Sequence, residues 1–183
     1  SSADLIAHSI RDQPVDQEVT DLFLQNNVCL VPTLTREVST FVYGNRPEFM
    51  DDPFLTSDVD SAQVQTVLDP AYQSRVAASP AAAAYRTALE VAQQNLQALS
   101  DAGVRIGFGT DTGPLGRFQG YFEHLELELM AEAGLTPEQI LLSATRDAAS
   151  TSNCSCTSGS PAGTTSCTGT STSSGSTPMK FGA

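Results

Sequence analysis

The chain has 183 residues, room for one domain with a sizeable core, and 40% of them are hydrophobic. Nine Lys and Arg stand against 21 Asp and Glu, a formal charge of −12, and such a surface repels nucleic acid and anionic membrane. No apolar run reaches the roughly 18 residues that cross a bilayer, and acidity favours solubility and cationic ligands without naming a partner.

The start, Ser1-Ser2-Ala3-Asp4, shows neither Met nor a basic leader, which suggests a processed start or a piece of a longer chain. Ala3 to Ala7 is a short apolar run ending at His8, read as a strand. Asp16 to Asn27 reads as a helix, because Val15, Val19, Leu22 and Phe23 recur at helical spacing behind early acids. Asn26 and Asn27 should stop it, since Asn tolerates the left-handed conformation. Val28 to Val31, bounded by Pro32, is a continuous apolar run, the pattern of a strand buried on both faces. Cys29 within it reads as a small buried hydrophobe.

From Thr33 to Ala78 the periodicity weakens, with prolines at 47, 53 and 70 and scattered acids at 51, 52, 58 and 60. Phe41, Tyr43, Phe49, Met50 and Phe54 are nonetheless too many large apolar groups for a solvated linker, so this long loop reads as a packed or functional cover. Ser79-Pro80 opens a helix with a capping hydroxyl and a first-turn proline, and Gly103 closes it. Val104 to Phe108 is the third strand, and its continuation Gly109-Thr110-Asp111 delivers a carboxylate at the strand end. After the glycine-rich loop Thr112 to Gly120, Phe122, Leu125, Leu129, Met130 and Ala133 form an amphipathic helix. Thr136-Pro137-Glu138-Gln139 is a capping box for a last helix running to Ala148.

Thr151 to Pro178 is almost entirely Ser, Thr, Gly, Cys and Pro, and it cannot bury enough to offset a chain entropy of about 1–2 kcal/mol per residue. Disorder is expected across 150–183. A flexible or O-glycosylated linker and a coding sequence slipped out of frame after Ala149 both account for such a mixture. Cys154, Cys156 and Cys167 fall short of a zinc site's usual four ligands, and no tail histidine completes them.

The order strand, helix, strand, long loop, helix, strand, helix, helix argues for a parallel sheet with right-handed crossovers. Function in such folds gathers at the strands' C-terminal ends, which here carry His8, Pro32-Thr33 and Asp111. An imidazole and a carboxylate on neighbouring strand ends can share a metal ion, or the carboxylate can take a proton from a water the ion has acidified. Each has a plainer alternative: a hydrogen-bonded histidine beneath a loop for His8, and an Asx-turn for Asp111.

Together these segments make the chain resemble the C-terminal half of an amidohydrolase-superfamily metal hydrolase, of the imidazolonepropionase- and prolidase-like branch. The carrying stretches are Asp4-Leu-Ile-Ala-His8-Ser, Val31-Pro-Thr-Leu34, Gly109-Thr-Asp111 and His124-Leu-Glu-Leu-Glu-Leu-Met130. Ala131-Glu-Ala-Gly-Leu-Thr-Pro137 and Ala144-Thr-Arg-Asp-Ala-Ala149 complete them, and the resemblance covers residues 3–149.

It implies an α/β fold, strands six to eight of a (β/α)8 TIM barrel, and hydrolysis of a C–N bond (amide, cyclic amide or peptide-like) by metal-activated water. The implied cofactor is a divalent metal, zinc, at one or two ions in the full-length family, and the implied partner is a small-molecule or short-peptide substrate, with self-association left open. His8 would be a metal ligand closing strand six, and Asp111 a metal ligand and general base closing strand eight. Thr33 would line the substrate pocket, and 33–78 would be a lid offering Phe41 and Tyr43 to substrate. His124, on a helix, reads as structural or as supporting the site.

The family's His-x-His pair on strand one, its bridging lysine or glutamate on strand four and its strand-five histidine have no counterpart here, so the isolated chain is expected to be inactive. The tail stands where family members return to a small β-sandwich, which favours the frame shift. Two other readings compete. Asp111-Thr112-Gly113 spells the aspartic-protease signature, but that chemistry needs a second such carboxylate and an all-β fold. A non-catalytic acidic binding or scaffolding segment is the remaining alternative.

Overall fold

In the computed structural model, which describes residues 3–57 and 59–149, the three expected strands pair in one parallel sheet. They are β1 (Leu5–Ala7), β2 (Cys29–Val31) and β3 (Arg105–Ile106), in the spatial order β1-β2-β3. The tail, with the expectations of disorder and frame shift attached to it, lies outside the described residues.

Register aligns Ile6 with Leu30 and Leu30 with Ile106. All three side chains share one face and join the main core. The central strand is covered on both faces, as its unbroken apolar run requires: Cys29 is 0% and Leu30 1% exposed. Burial pushes the Cys29 thiol pKa up, so it behaves as an inert filler.

Between β1 and β2 runs α1 (Gln17–Gln25), where the Asp16 carboxylate accepts from the Val19 N–H at 2.9 Å. The left-handed residue that ends this helix is Asn27, with φ 51°, as its type predicts.

The stretch after β2 is a correction to the sequence reading. Instead of a long loop it holds α2 (Leu34–Ser39), two 3₁₀ turns, α3 (Pro53–Thr56), α4 (Ser61–Leu68) and α5 (Pro70–Ala77). Two of the acids read as scattered, Asp52 and Asp60, are helix caps, and so is Asp69: they accept from the N–H groups of Phe54, Ala62 and Ala71 at 2.8–2.9 Å. These helices carry a second core of their own, with Tyr43, Met50, Leu55, Val67, Phe118 and Phe122 at its centre.

The long helix α6 (Pro80–Asp101) follows, and its Ala92, Leu96 and Leu99 pack under the sheet. Burying a leucine there stabilises the fold by about 1.5–3 kcal/mol. Then come β3, α7 (Tyr121–Glu132) and α8 (Pro137–Leu142), whose Thr136–Gln139 capping box forms as read. A π-helical turn over Ser143–Asp147 continues α8. The described residues are thus mixed α/β and mostly helical, with a small parallel sheet.

Candidate functional site at the strand ends

His8 and Thr33 sit one and two residues past the C-terminal ends of β1 and β2, and Asp111 five residues past β3, which stops at Ile106 rather than at the expected Phe108. All three have left-handed backbones, with φ of 76°, 49° and 56°. Asn27 is the other non-glycine residue with positive φ among the described residues. Histidine and aspartate are among the types enriched in this conformation, whereas for a β-branched threonine it is a genuine outlier. Strain of this kind persists where the surroundings over-determine it, and it clusters at functional sites.

What over-determines Thr33 is a buried carboxylate. Glu126 of α7 is 0% exposed and accepts from the N–H groups of Leu34 and Thr35 at 2.7 and 2.8 Å. It also meets the Thr35 hydroxyl at 2.8 Å. The first turn of α2 receives no cap from Thr33's own side chain, so a residue 92 positions away supplies one. Burial raises the Glu126 pKa to about 7, and the nearby Glu37 charge adds to the rise, against the lowering effect of its Thr35 and Leu34 hydrogen bonds.

With its own side chain free of capping, the Thr33 hydroxyl lies 2.9 Å from His8 Nδ1. That contact joins two of the candidate residues and leaves His8 Nε2 as the nitrogen for any ligand.

The end of β3 is held by the same helix. Glu123 Oε1 accepts from the Thr110 and Thr112 hydroxyls at 3.0 and 2.9 Å, and its other oxygen accepts from the Gly120 N–H at 2.6 Å. Gly109 is required by close approach: a Cβ there would stand 2.7 Å from Val31 Cγ1.

Asp111 is turned toward cations. Its Oδ2 accepts from Arg117 Nη1 at 2.5 Å and lies 3.7 Å from Arg36 Nε. Arg117 is oriented by a 3.0 Å bond from its Nε to the Ser39 hydroxyl. Beside this pair, the fully buried Glu37 accepts from Arg11 at 2.5 Å and from Ser9 at 2.7 Å, while its Oε2 has no hydrogen-bond partner. Arg11 in turn stacks 4.5 Å over the Tyr85 ring.

The remaining residues singled out from the sequence sit apart from this cluster. Tyr43 is 0% exposed in the second core, and its hydroxyl donates to the Gly116 carbonyl at 2.5 Å. Burial pushes its pKa well above the ordinary tyrosine value. Phe41 is half-buried beneath the Arg86 guanidinium, 4.6 Å from its ring, beside a cavity of about 260 Å³. His124 is exposed and meets Phe54 edge-on at 4.9 Å.

The donors of His8 and Asp111 are of the right chemical kind for zinc, but a catalytic zinc takes three protein ligands. No group of three or more His, Cys, Asp or Glu suited to a metal occurs among the described residues. On its own this donor set does not fit a resident zinc ion.

Glu126, Glu123, Arg36, Arg117 and Asn95 were not picked out from the sequence as site-building residues. Asn95, buried on α6, accepts from the Val15 N–H at 2.8 Å and donates to the carbonyls of Ile10 and Gln13 at 2.8 and 2.9 Å. It thereby pins the loop that follows His8. Compared with known protein families and with curated proteins, the chain matches none.

Proposed function

We propose that the three strands are consecutive strands of a larger barrel, the sixth to eighth of a (β/α)8 amidohydrolase-type fold. In this reading the chain contributes part of the site of a hydrolase acting on an amide, cyclic amide or peptide-like C–N bond. The observation that carries the reading is the coincidence of strain and chemistry. Three adjacent parallel strands are each followed, within one, two and five residues, by a left-handed residue, and those residues are a histidine, a threonine and an aspartate.

Two further features support it. The strands neighbour one another in chain order, as barrel strands do. On β1, Leu5 and Ala7 point away from the Ile6 face and are exposed, where further barrel residues would pack. The mostly helical frame with a parallel sheet is unlike the all-β setting that an aspartic protease needs for Asp111-Thr112-Gly113.

In the proposed site Thr33 holds the His8 ring in one orientation through Nδ1, and Asp111 acts as the proton acceptor for the attacking water. Metal dependence is part of the proposal, and the missing ligands have to come from outside the described residues.

The test is complementation. The chain is mixed with a separately expressed segment supplying strands one to five of such a barrel, with zinc, and assayed on a panel of dipeptides and cyclic amides. Hydrolysis that Asp111→Asn abolishes is the expected result. A folded complex that binds zinc and hydrolyses nothing would favour a scaffolding segment instead.

A further inference from the structure

The cations around Asp111 run against the charge of the molecule. The chain carries −12 overall, yet Arg36 from α2 and Arg117 from the loop after β3 converge on a single oxygen of Asp111. Both guanidiniums are largely sheltered, with side chains 26% and 17% exposed, whereas Asp111 is 40% exposed. Of the other carboxylates, Glu37 is paired with Arg11 at 2.5 Å and accepts from Arg36 Nη1 at 3.4 Å, and Glu123 accepts from the hydroxyls of Thr110 and Thr112 on either side of Asp111. Arg36 and Arg117 thus reach one Asp111 oxygen from two separate elements at the sheet's rim.

The fit is also incomplete. Arg117 makes a short bond, but Arg36 stands at 3.7 Å, beyond hydrogen-bond reach. Guanidinium forks bind carboxylates best with two parallel bonds, whereas Asp111 meets Arg117 Nη1 through its main-chain carbonyl at 3.1 Å and through only one of its two carboxylate oxygens. A free carboxylate could sit between both forks.

We infer that Arg36 and Arg117 form a carboxylate-recognition site that Asp111 occupies internally in the absence of ligand, and that the substrate class is an amide bearing a carboxylate. When an external carboxylate takes the two arginines, Asp111 is released toward His8. Substrate binding and the freeing of the proton acceptor are then one event. This rests on the hydrolase reading for the role of the released Asp111; the anion site itself does not depend on it.

The test uses N-acetylglycine, a carboxylate next to an amide, with N-acetylglycinamide as the uncharged control, titrated into the full chain by calorimetry. Removing the internal occupant by Asp111→Asn should tighten N-acetylglycine binding at least about tenfold over the unmodified chain, because a self-occupied site lowers apparent affinity by its free fraction. Adding Arg117→Gln to that variant should abolish the gain, and Arg117→Lys should lose most of it by keeping charge without the fork.

A second reading needs no variant to fold. In the unmodified chain, N-acetylglycine should shift the Arg117 Nε–H NMR resonance, and N-acetylglycinamide should not. Equal binding of the amide control, no tightening in Asp111→Asn, or binding of inorganic phosphate without N-acetylglycine would each overturn the inference. Anion binding without hydrolysis in the complemented barrel would leave this site standing and remove the hydrolase reading. Hydrolysis without carboxylate preference would do the reverse.

Discussion

Replacing Glu126 by Gln tests whether a buried carboxylate from α7 sets the strand-end geometry. Glu126 titrates near 7 in the folded chain, against an ordinary 4.5. The folded state therefore keeps a proton that the unfolded state has lost between those values. A group raised in this way stabilises below its unfolded pKa, and that contribution disappears as pH rises through the folded one. At about 1.4 kcal/mol per pH unit, the loss between pH 4.5 and 7 is about 3 kcal/mol.

Both protonation states have partners, which keeps the site intact on either side of the transition. When ionised, Glu126 accepts from two backbone N–H groups and the Thr35 hydroxyl. When protonated, it can donate to Thr35 Oγ1, whose own proton then turns to the Thr110 carbonyl at 3.2 Å. A glutamine cannot serve both backbone donors: its NH₂ faces one of them, leaving a buried N–H unsatisfied at about 1–3 kcal/mol.

Thermal melts of the unmodified chain and Glu126→Gln from pH 4.5 to 8 isolate the effect, since all other carboxylates cancel in the difference. The variant should be less stable by about 1–3 kcal/mol near pH 5, with the gap closing or reversing by pH 8. For a domain of this size about 3 kcal/mol corresponds to roughly 6–12 °C in Tm. A difference that stays flat across that range would refute the reasoning.

Other expectations are equally concrete. Asn95→Asp places a carboxylate oxygen against the carbonyls of Ile10 and Gln13, and urea unfolding should show a loss of about 2–4 kcal/mol. Gly109→Ala drives a methyl to 2.7 Å from Val31 Cγ1, a clash costing about 1–3 kcal/mol. Adding Val31→Ala should recover part of that stability, and additive losses in the double variant would contradict the contact. Tyr43→Phe removes the bond to the Gly116 carbonyl and should lower stability by about 1 kcal/mol. If Tyr43 contacts substrate, the variant should instead change KM in the complemented enzyme with little effect on melting.

The strands and the long helices were legible because their signals are local. The run at 28–31, the Ser79-Pro80 start, the Asn27 stop and the Thr136 box each lie within a few residues of what they specify. The helices between Thr33 and Ala78 escaped notice because they are too short for a period to register. Local marks of their starts exist nonetheless: Asp52-Pro53 and Asp69-Pro70 repeat the pattern of Ser79-Pro80, and there the aspartate side chains cap, whereas the Ser79 hydroxyl, expected to cap α6, makes no such bond.

The site's supports were illegible for a different reason. Glu126 acts on residues 91 and 92 positions away and Asn95 on residues 80 to 85 away. Nothing local distinguishes either from the polar face of its own helix. Tyr43 shows the converse effect of scale: as an aromatic in a region expected to be a loop it invites a ligand role, and in the folded chain it is buried in the second core.

The left-handed backbones at His8, Thr33 and Asp111 also bear on how this chain would respond to optimisation. A search for stabilising substitutions guided by backbone conformation alone would put glycine or asparagine at all three positions, because those residues adopt positive φ at the least cost. It would relieve backbone strain most at the β-branched Thr33 and erase an imidazole, a hydroxyl and a carboxylate together. A screen for heat resistance should therefore accumulate changes at the three positions that a screen for activity, run in the complete barrel, would hold fixed.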